Sequence, residues 1–153
     1  MEKKEHKVIL SLGSNNKNGL MVINEVCSMI ARKFNVDKTT KIIKTKPFGN
    51  KNQPDFFNML ILISTEIFPF ELLAKMKKIE QKYNSEKTKE QFWGQRNIDI
   101  DIIQYSDFTV FSQDLIIPHP GLKDREYLQQ LMQQLNDIAR IPDYQKSKTQ
   151  IFG

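Results

Sequence analysis

Apolar and polar positions along the chain change period several times, and each change marks an element. "HKVILSLGS" (residues 6–14) is a nearly continuous apolar run ending in a polar turn, and it predicts a first strand. From Leu20 to Phe34, the residues Val22, Val26, Met29, Ile30 and Phe34 recur at three- and four-residue spacing, which predicts an amphipathic helix. "TTKIIKTK" (39–46) predicts a second strand stopped by Pro47, and "DFFNMLILIST" (55–65) a third. Pro69 suits the first turn of a helix that Phe70, Leu73, Met76, Lys77, Ile79 and Tyr83 continue. A charged loop, "NSEKTKEQ", then leads into "NIDIDIIQY", a fourth strand. "FTVFSQDLIIP" predicts one or two short strands, and Asp124 a cap for a last helix through Leu135.

The order β-α-β-β-α-β is that of the split-βαβ, ferredoxin-like arrangement. The expected fold is α+β: an antiparallel sheet with helices packed on one face, plus extra C-terminal strands and a helix. There is no internal repeat or linker, so residues 1–153 are expected to form a single domain. With 39% hydrophobic and 27% charged residues the composition is that of a globular protein, not a disordered one. No apolar run approaches the roughly 20 residues of a membrane span, and the start does not read as a signal peptide. The single cysteine, Cys27, lies in the apolar stripe of the first helix, and cannot form an internal disulfide, which agrees with a cytoplasmic protein. A net charge of +5 suits nucleic acid or a small polyanion, but Lys3, Lys33, Lys51, Lys78 and Lys148 form no single stripe.

The fourth strand carries the most informative chemistry. Ile98, Ile100 and Ile102 share one face, so Asp99 and Asp101 share the other, their Cα atoms roughly 6.5–7 Å apart. Like charges that close repel unless a cation or donor lies between them. The pair is a candidate for hard oxygen ligation of Mg²⁺; the alternative is an edge strand turning its charges to water. Arg96, just before the strand, is placed to stabilise a transferring phosphoryl group. No glycine-rich phosphate loop occurs, so a nucleotide would depend on metal and on side chains such as Lys82, Lys87, Lys89 and Arg96. His119 stands between two prolines, with Arg125 following at the start of a helix. Phe56 and Asn58, on one side of the third strand, could stack on and hydrogen-bond a flat heterocycle, although Phe56 serves equally as core. His6, in the charged start of the chain, has no assigned role.

Together these segments resemble the 6-hydroxymethyl-7,8-dihydropterin pyrophosphokinase family over about Val8 to Asp143. "FWGQRNIDIDI" is similar to the family's "WGPR-x-LDLDI" signature. "LSLGSN", "TKPFGNKNQPDFFN", "KIE", "IPHPGLKDREYL" and "LMQQLNDIARIPD" follow in family order. The resemblance implies pyrophosphate transfer from ATP to the pterin hydroxymethyl group, leaving AMP, in folate biosynthesis. It implies two Mg²⁺ ions on Asp99 and Asp101. It places Arg96 at the phosphates, and Glu80, Trp93, Ile102, His119 and Arg125 around ATP. It places Phe56 and Tyr127 on either side of the pterin, Asn58 at its edge, and Thr45 and Phe48 in the loop beside it. The expected partners are these small molecules, with neither nucleic acid nor membrane.

Gln95 stands where the family has proline, and Tyr127 where it usually has phenylalanine. The arginine pair of the family's catalytic loop is missing from "YNSEKTKEQFW". Lys87 and Lys89 are the candidate catalytic cations there, without arginine's bidentate fork. Two other classes compete. A non-catalytic ligand-binding module predicts binding indifferent to Mg²⁺. A nucleic-acid module predicts aromatics and arginines interleaved on an exposed sheet face, a pattern that "VILSL" and "MLILI" lack.

Overall fold

The structure is a computed structural model that describes residues 4–46, 54–84 and 97–138. Strand β1 (His6–Ser14) leads into helix α1 (Gly19–Lys33), then β2 (Asn35–Thr39), β3 (Ile43–Thr45) and β4 (Phe56–Thr65). Helix α2 (Pro69–Asn84) precedes β5 (Asp99–Tyr105), and the short strands β6 (Val110–Phe111) and β7 (Ile116–Ile117) follow. A single turn, α3 (Gly121–Asp124), and helix α4 (Glu126–Ile138) come last among the described residues. The main sheet is antiparallel, in the order β2-β4-β1-β5 with β3 also on β4; β6 and β7 pair separately.

Alternation along the central strands divides the core in two. Val8, Leu10 and Leu12 of β1, with Met59, Ile61 and Ile63 of β4 and Ile100 and Ile102 of β5, form one face. Ile23, Val26 and Ile30 of α1 and Leu72, Met76 and Ile79 of α2 cover it. The other face carries Ile9, Leu60, Leu62 and Ile103, packed against Leu128, Leu131 and Leu135 of α4. Helices therefore lie on both faces, not on one as the element order suggested. Leu128, Leu131 and Leu135 of the C-terminal segment supply an apolar stripe that the second sheet face buries.

A bulge in β5 permits this division. Ile9 pairs with Gln104 and Leu10 with Ile102, leaving Ile103 as the extra residue. Ile103 stays on the second face, and Tyr105 returns to the first.

The predicted strand 39–46 is instead two strands. β2 begins directly after α1, where Phe34 turns extended and donates its amide to Ile30 O at 2.8 Å. Between β2 and β3, Thr40 bonds Leu60 through both its amide (3.0 Å) and its hydroxyl oxygen, which accepts Leu60 N–H at 2.9 Å. Periodicity misses β2 because it is an edge strand with one apolar residue, Val36, in "NVDKT". Asp124 does not cap the last helix: it closes α3, and the extended residue between the two helices is Arg125. His6 is buried, ringed by Phe108 at 5.0 Å, Phe68 at 5.5 Å and Tyr105 at 5.8 Å between centroids. No helix of the described residues is long and apolar enough to cross a membrane.

Candidate active site

The second face changes character along its length. Under α4 it is apolar; beyond that it carries Ser11, Gly13, Asn58, Asp99 and Asp101. Register brings them together from distant parts of the chain. Gly13 pairs with Asp99 on one side and Asn58 on the other, and Asn58 pairs in turn with Ile43. One row across four strands therefore reads Asp99, Gly13, Asn58, Ile43. The next row sets Asp101 beside Ser11 and Leu60.

Both aspartates are half-buried on this face, with Ile100 between them pointing into the opposite core. No cluster of three or more His, Cys, Asp or Glu that could cage a metal occurs among the described residues. Two carboxylates without a third protein ligand fit Mg²⁺, which keeps several waters and completes its shell with substrate phosphate oxygens.

Asn58 is fixed by its neighbours on β3 and β1. Its Nδ2 donates to Thr45 Oγ1 at 2.9 Å, and its Oδ1 lies 2.9 Å from where a Cβ on Gly13 would stand. The glycine gives the amide room, a reason for a strand-interior glycine that spacing does not reveal. Phe56, paired with Thr45, is half-buried and belongs to neither core cluster, whereas Tyr127 leans on the second-face cluster from the first turn of α4.

The segment after β7 reaches the same face. His119 donates its amide to Ile103 O at 2.9 Å, which ties it to β5. Its Nδ1 accepts Gly121 N–H at 2.9 Å, so the neutral ring carries its proton on Nε2. Burial holds the imidazole below its ordinary pKa; Asp101 pulls the other way, and Arg125 reinforces the lowering. A Cβ on Gly121 would meet Arg125 Cδ at 3.0 Å, so Gly121 lets the arginine fold back beside His119. Arg125 Nη1 reaches Tyr127 Oη at 3.4 Å.

Glu80 approaches from beneath. Its Oε2 accepts Ile100 N–H at 2.7 Å, and its Oε1 pairs with Lys77 at 3.3 Å. Burial raises its pKa, the hydrogen bond from Ile100 and the Lys77 charge oppose this, and Asp99 adds to it. Ile102 has its side chain in the first-face core, so only its main chain is available to a ligand. Phe48, Lys87, Lys89, Trp93 and Arg96 lie outside the described residues.

Paired carboxylates in line with a fixed amide on an antiparallel sheet suit a nucleotide-dependent transferase. Residues 9–138 match the family model for 7,8-dihydro-6-hydroxymethylpterin-pyrophosphokinase, and the chain belongs to that family. Its activity is the pyrophosphokinase step of folate biosynthesis. A 2-amino-4-hydroxy-6-hydroxymethyldihydropteridine pyrophosphokinase of Aquifex aeolicus (strain VF5) is 32% identical over 91% of this chain and 86% of its own. The enzyme of the same name from Haemophilus influenzae is 30% identical over 78% of this chain and 74% of its own. Among solved structures, Plasmodium falciparum HPPK-DHPS A437G with pteroate superposes with a TM-score of 0.53 at 16% identity. That likeness covers 89% of this chain but 34% of the Plasmodium chain, and bears on the fold alone.

Proposed function

We propose that the polar end of the second sheet face is the catalytic centre, with Asp99 and Asp101 holding two Mg²⁺ ions and the pterin lying between Phe56 and Tyr127. The observation that carries this reading is the row Asp99–Gly13–Asn58, which sets a carboxylate and a fixed amide on one surface with only a glycine between them. The chain order and strand order β2-β4-β1-β5 support a ferredoxin-like topology with an added C-terminal hairpin and helix.

Magnesium, when bound, supplies charge neutralisation for the triphosphate and makes its β-phosphorus open to attack. The chain's own residues do the rest. Asn58 reads the pterin edge with the amide valences that Thr45 leaves over, and Thr45 and Phe48 line that side. Phe56 and Tyr127 hold the ring plane, so that its hydroxymethyl oxygen faces the phosphates. His119, neutral with its proton on Nε2, donates to a phosphate oxygen, and Arg125 adds a fixed positive charge beside it. Arg96 neutralises charge on the group in transfer, with Lys87 and Lys89 in place of the family's arginine pair, and Trp93 and Glu80 border ATP. Catalysis is mostly orientation and charge stabilisation; no protein nucleophile takes part. The reading implies a cytoplasmic enzyme whose partners are small molecules.

The test is an assay for AMP and pterin diphosphate from ATP, Mg²⁺ and 6-hydroxymethyl-7,8-dihydropterin, beside Asp99→Ala. Product from the parent alone is the expected result. Equal product from both would remove Asp99 from the metal site.

A further inference from the structure

The two aspartates are not held in the same way. Asp101 sits inside the β1–β5 ladder, whereas Asp99 is its last pair, opposite Gly13. Terminal ladder pairs fray unless something beyond them holds the chain. Residues 97 and 98, which lead into Asp99, have no strand partner on the β1 side.

Side chains at the end of α2 take that place. Asn84 presents its amide to the free edge of the strand as a peptide would: its Nδ2 donates to Ile98 O at 3.0 Å, and its Oδ1 lies 3.4 Å from Ile98 N–H and 3.1 Å from Asn97 N–H. Glu80, one turn earlier, accepts Ile100 N–H at 2.7 Å. Outward-facing groups on a strand alternate, so the N–H groups of Ile98 and Ile100 face that edge, and Asn97 N–H, just before the strand, turns to Asn84 as well. The C-terminal turn of α2 thus acts as a substitute strand built of side chains.

Asn97 closes the arrangement. Its Nδ2 donates to Tyr83 O, a carbonyl of the last described turn of α2. Its Oδ1 accepts from Asn16 Nδ2 at 2.6 Å. Asn16 is itself fixed in the β1–α1 turn, where its Oδ1 accepts Asn18 N–H at 2.8 Å and its own amide donates to Ser14 Oγ at 3.2 Å. Three asparagines therefore join the end of α2, the turn after β1 and the entry to β5, two residues before Asp99 and four before Asp101.

We propose that Asn84 and Asn97, backed by Asn16, are positioning residues that fix the carboxylate of Asp99 for magnesium; this rests on the reading of Asp99 as a ligand. They touch neither substrate nor metal, and act by removing the freedom of the strand end.

The experiment measures the Mg²⁺ concentration for half-maximal turnover, and the pterin dissociation constant by fluorescence titration, in Asn84→Ala, Asn97→Ala, their double variant and Asp99→Asn. All are run well below their unfolding temperatures. Tyr105→Phe, which loses a hydroxyl donated to Ile67 O away from the site, calibrates the effect of lost stability alone. Each single amide variant is expected to need about 10-fold more Mg²⁺, the scale set by losing a group that orients a metal ligand. Pterin affinity should stay within about twofold, and the double variant should resemble the singles, because both residues belong to one network.

An unchanged Mg²⁺ requirement in the amide variants, with a raised one in Asp99→Asn, overturns the proposal and leaves the metal reading standing. An unchanged requirement in Asp99→Asn overturns both. A parallel loss of pterin affinity makes the amides merely structural. If the inner variants fail to fold, Asn16→Ala decides: it removes the outermost amide and one turn hydrogen bond, and should raise the Mg²⁺ requirement in the same direction. No rise there overturns the proposal.

Discussion

The two faces of the sheet are made by the same strands and do different work. On the first, Val8, Leu10, Leu12, Met59, Ile61, Ile63, Ile100 and Ile102 are buried beneath two long helices. On the second, α4 covers Ile9, Leu60, Leu62 and Ile103, and the remaining length carries Ser11, Gly13, Asn58, Asp99 and Asp101. Because successive residues alternate, every polar group of the site has an apolar neighbour anchored in the opposite core. Asp101 stands between Ile100 and Ile102, and Asn58 beside Met59. The first face makes the second rigid, and that rigidity is what a site working by position and charge requires.

The largest expected effect is on the polar side. Asp101→Ala should lower kcat by about 10³-fold, the scale of losing one electrostatic contact to a developing charge, with little change in unfolding temperature. A steady-state assay beside a thermal melt separates the two. A variant that melts early but keeps its turnover would return Asp101 to the role of a solvent-facing edge charge.

Two leucine truncations sharpen the contrast between faces. Leu10→Ala and Leu60→Ala each remove a fully buried side chain, and each should destabilise by about 2–5 kcal/mol in denaturant titration. Leu10 points away from the site, so its variant should keep kcat at temperatures where it is folded. Leu60 shares a row with Ser11 and Asp101, so its cavity opens beside the carboxylate and kcat should fall as well. Equal turnover in both would mean that the site does not depend on the packing beneath α4.

Gly13→Ala probes the close approach of Asn58. The new methyl group would stand 2.9 Å from Oδ1, so the amide must turn away from its place over the strand. Pterin affinity should weaken about tenfold, near the upper range of one hydrogen bond, while ATP binding holds. An unaltered pterin titration would show that Asn58 is not the group reading the ring.

Much of this was legible in the sequence, and the failures share a cause. The helices α1 and α2 and the strands β1, β4 and β5 are long, regular and strongly patterned, so periodicity finds them. β2 has one apolar residue and borrows its identity from β4. The side of the sheet that α4 covers is a tertiary choice that no local pattern states. Asp99, Asp101, Phe56 and Asn58 were visible because alternation alone puts each pair on one face. Gly13, Asn16, Asn84 and Asn97 were not, since what matters at these positions is a neighbour distant in sequence. His6 shows the same limit: a histidine in a charged leader becomes a buried ring once Phe68, Tyr105 and Phe108 close around it.

The smallest expected effect belongs to Glu80, and its sign discriminates between roles. Burial raises its carboxyl pKa above the ordinary 4.5 in the folded chain. The folded state then keeps the proton that the unfolded state releases, so this group makes stability fall as pH rises from about 4.5 through the folded value. Above that value the cost is constant. Glu80→Gln abolishes the titration and retains an oxygen for Ile100 N–H. It loses only the pairing with Lys77, whose side chain is 60% exposed and contributes little. The variant should therefore be as stable as the parent or slightly more so at neutral pH, by less than about 1 kcal/mol, with a flatter profile of melting temperature between pH 4 and pH 8. If Glu80 also borders ATP, the KM for ATP rises while the melting curve does not fall. A drop in stability at neutral pH with the slope unchanged would instead mean that the edge of β5 needs the carboxylate charge, and that the underside of the site is held by electrostatics as much as by fit.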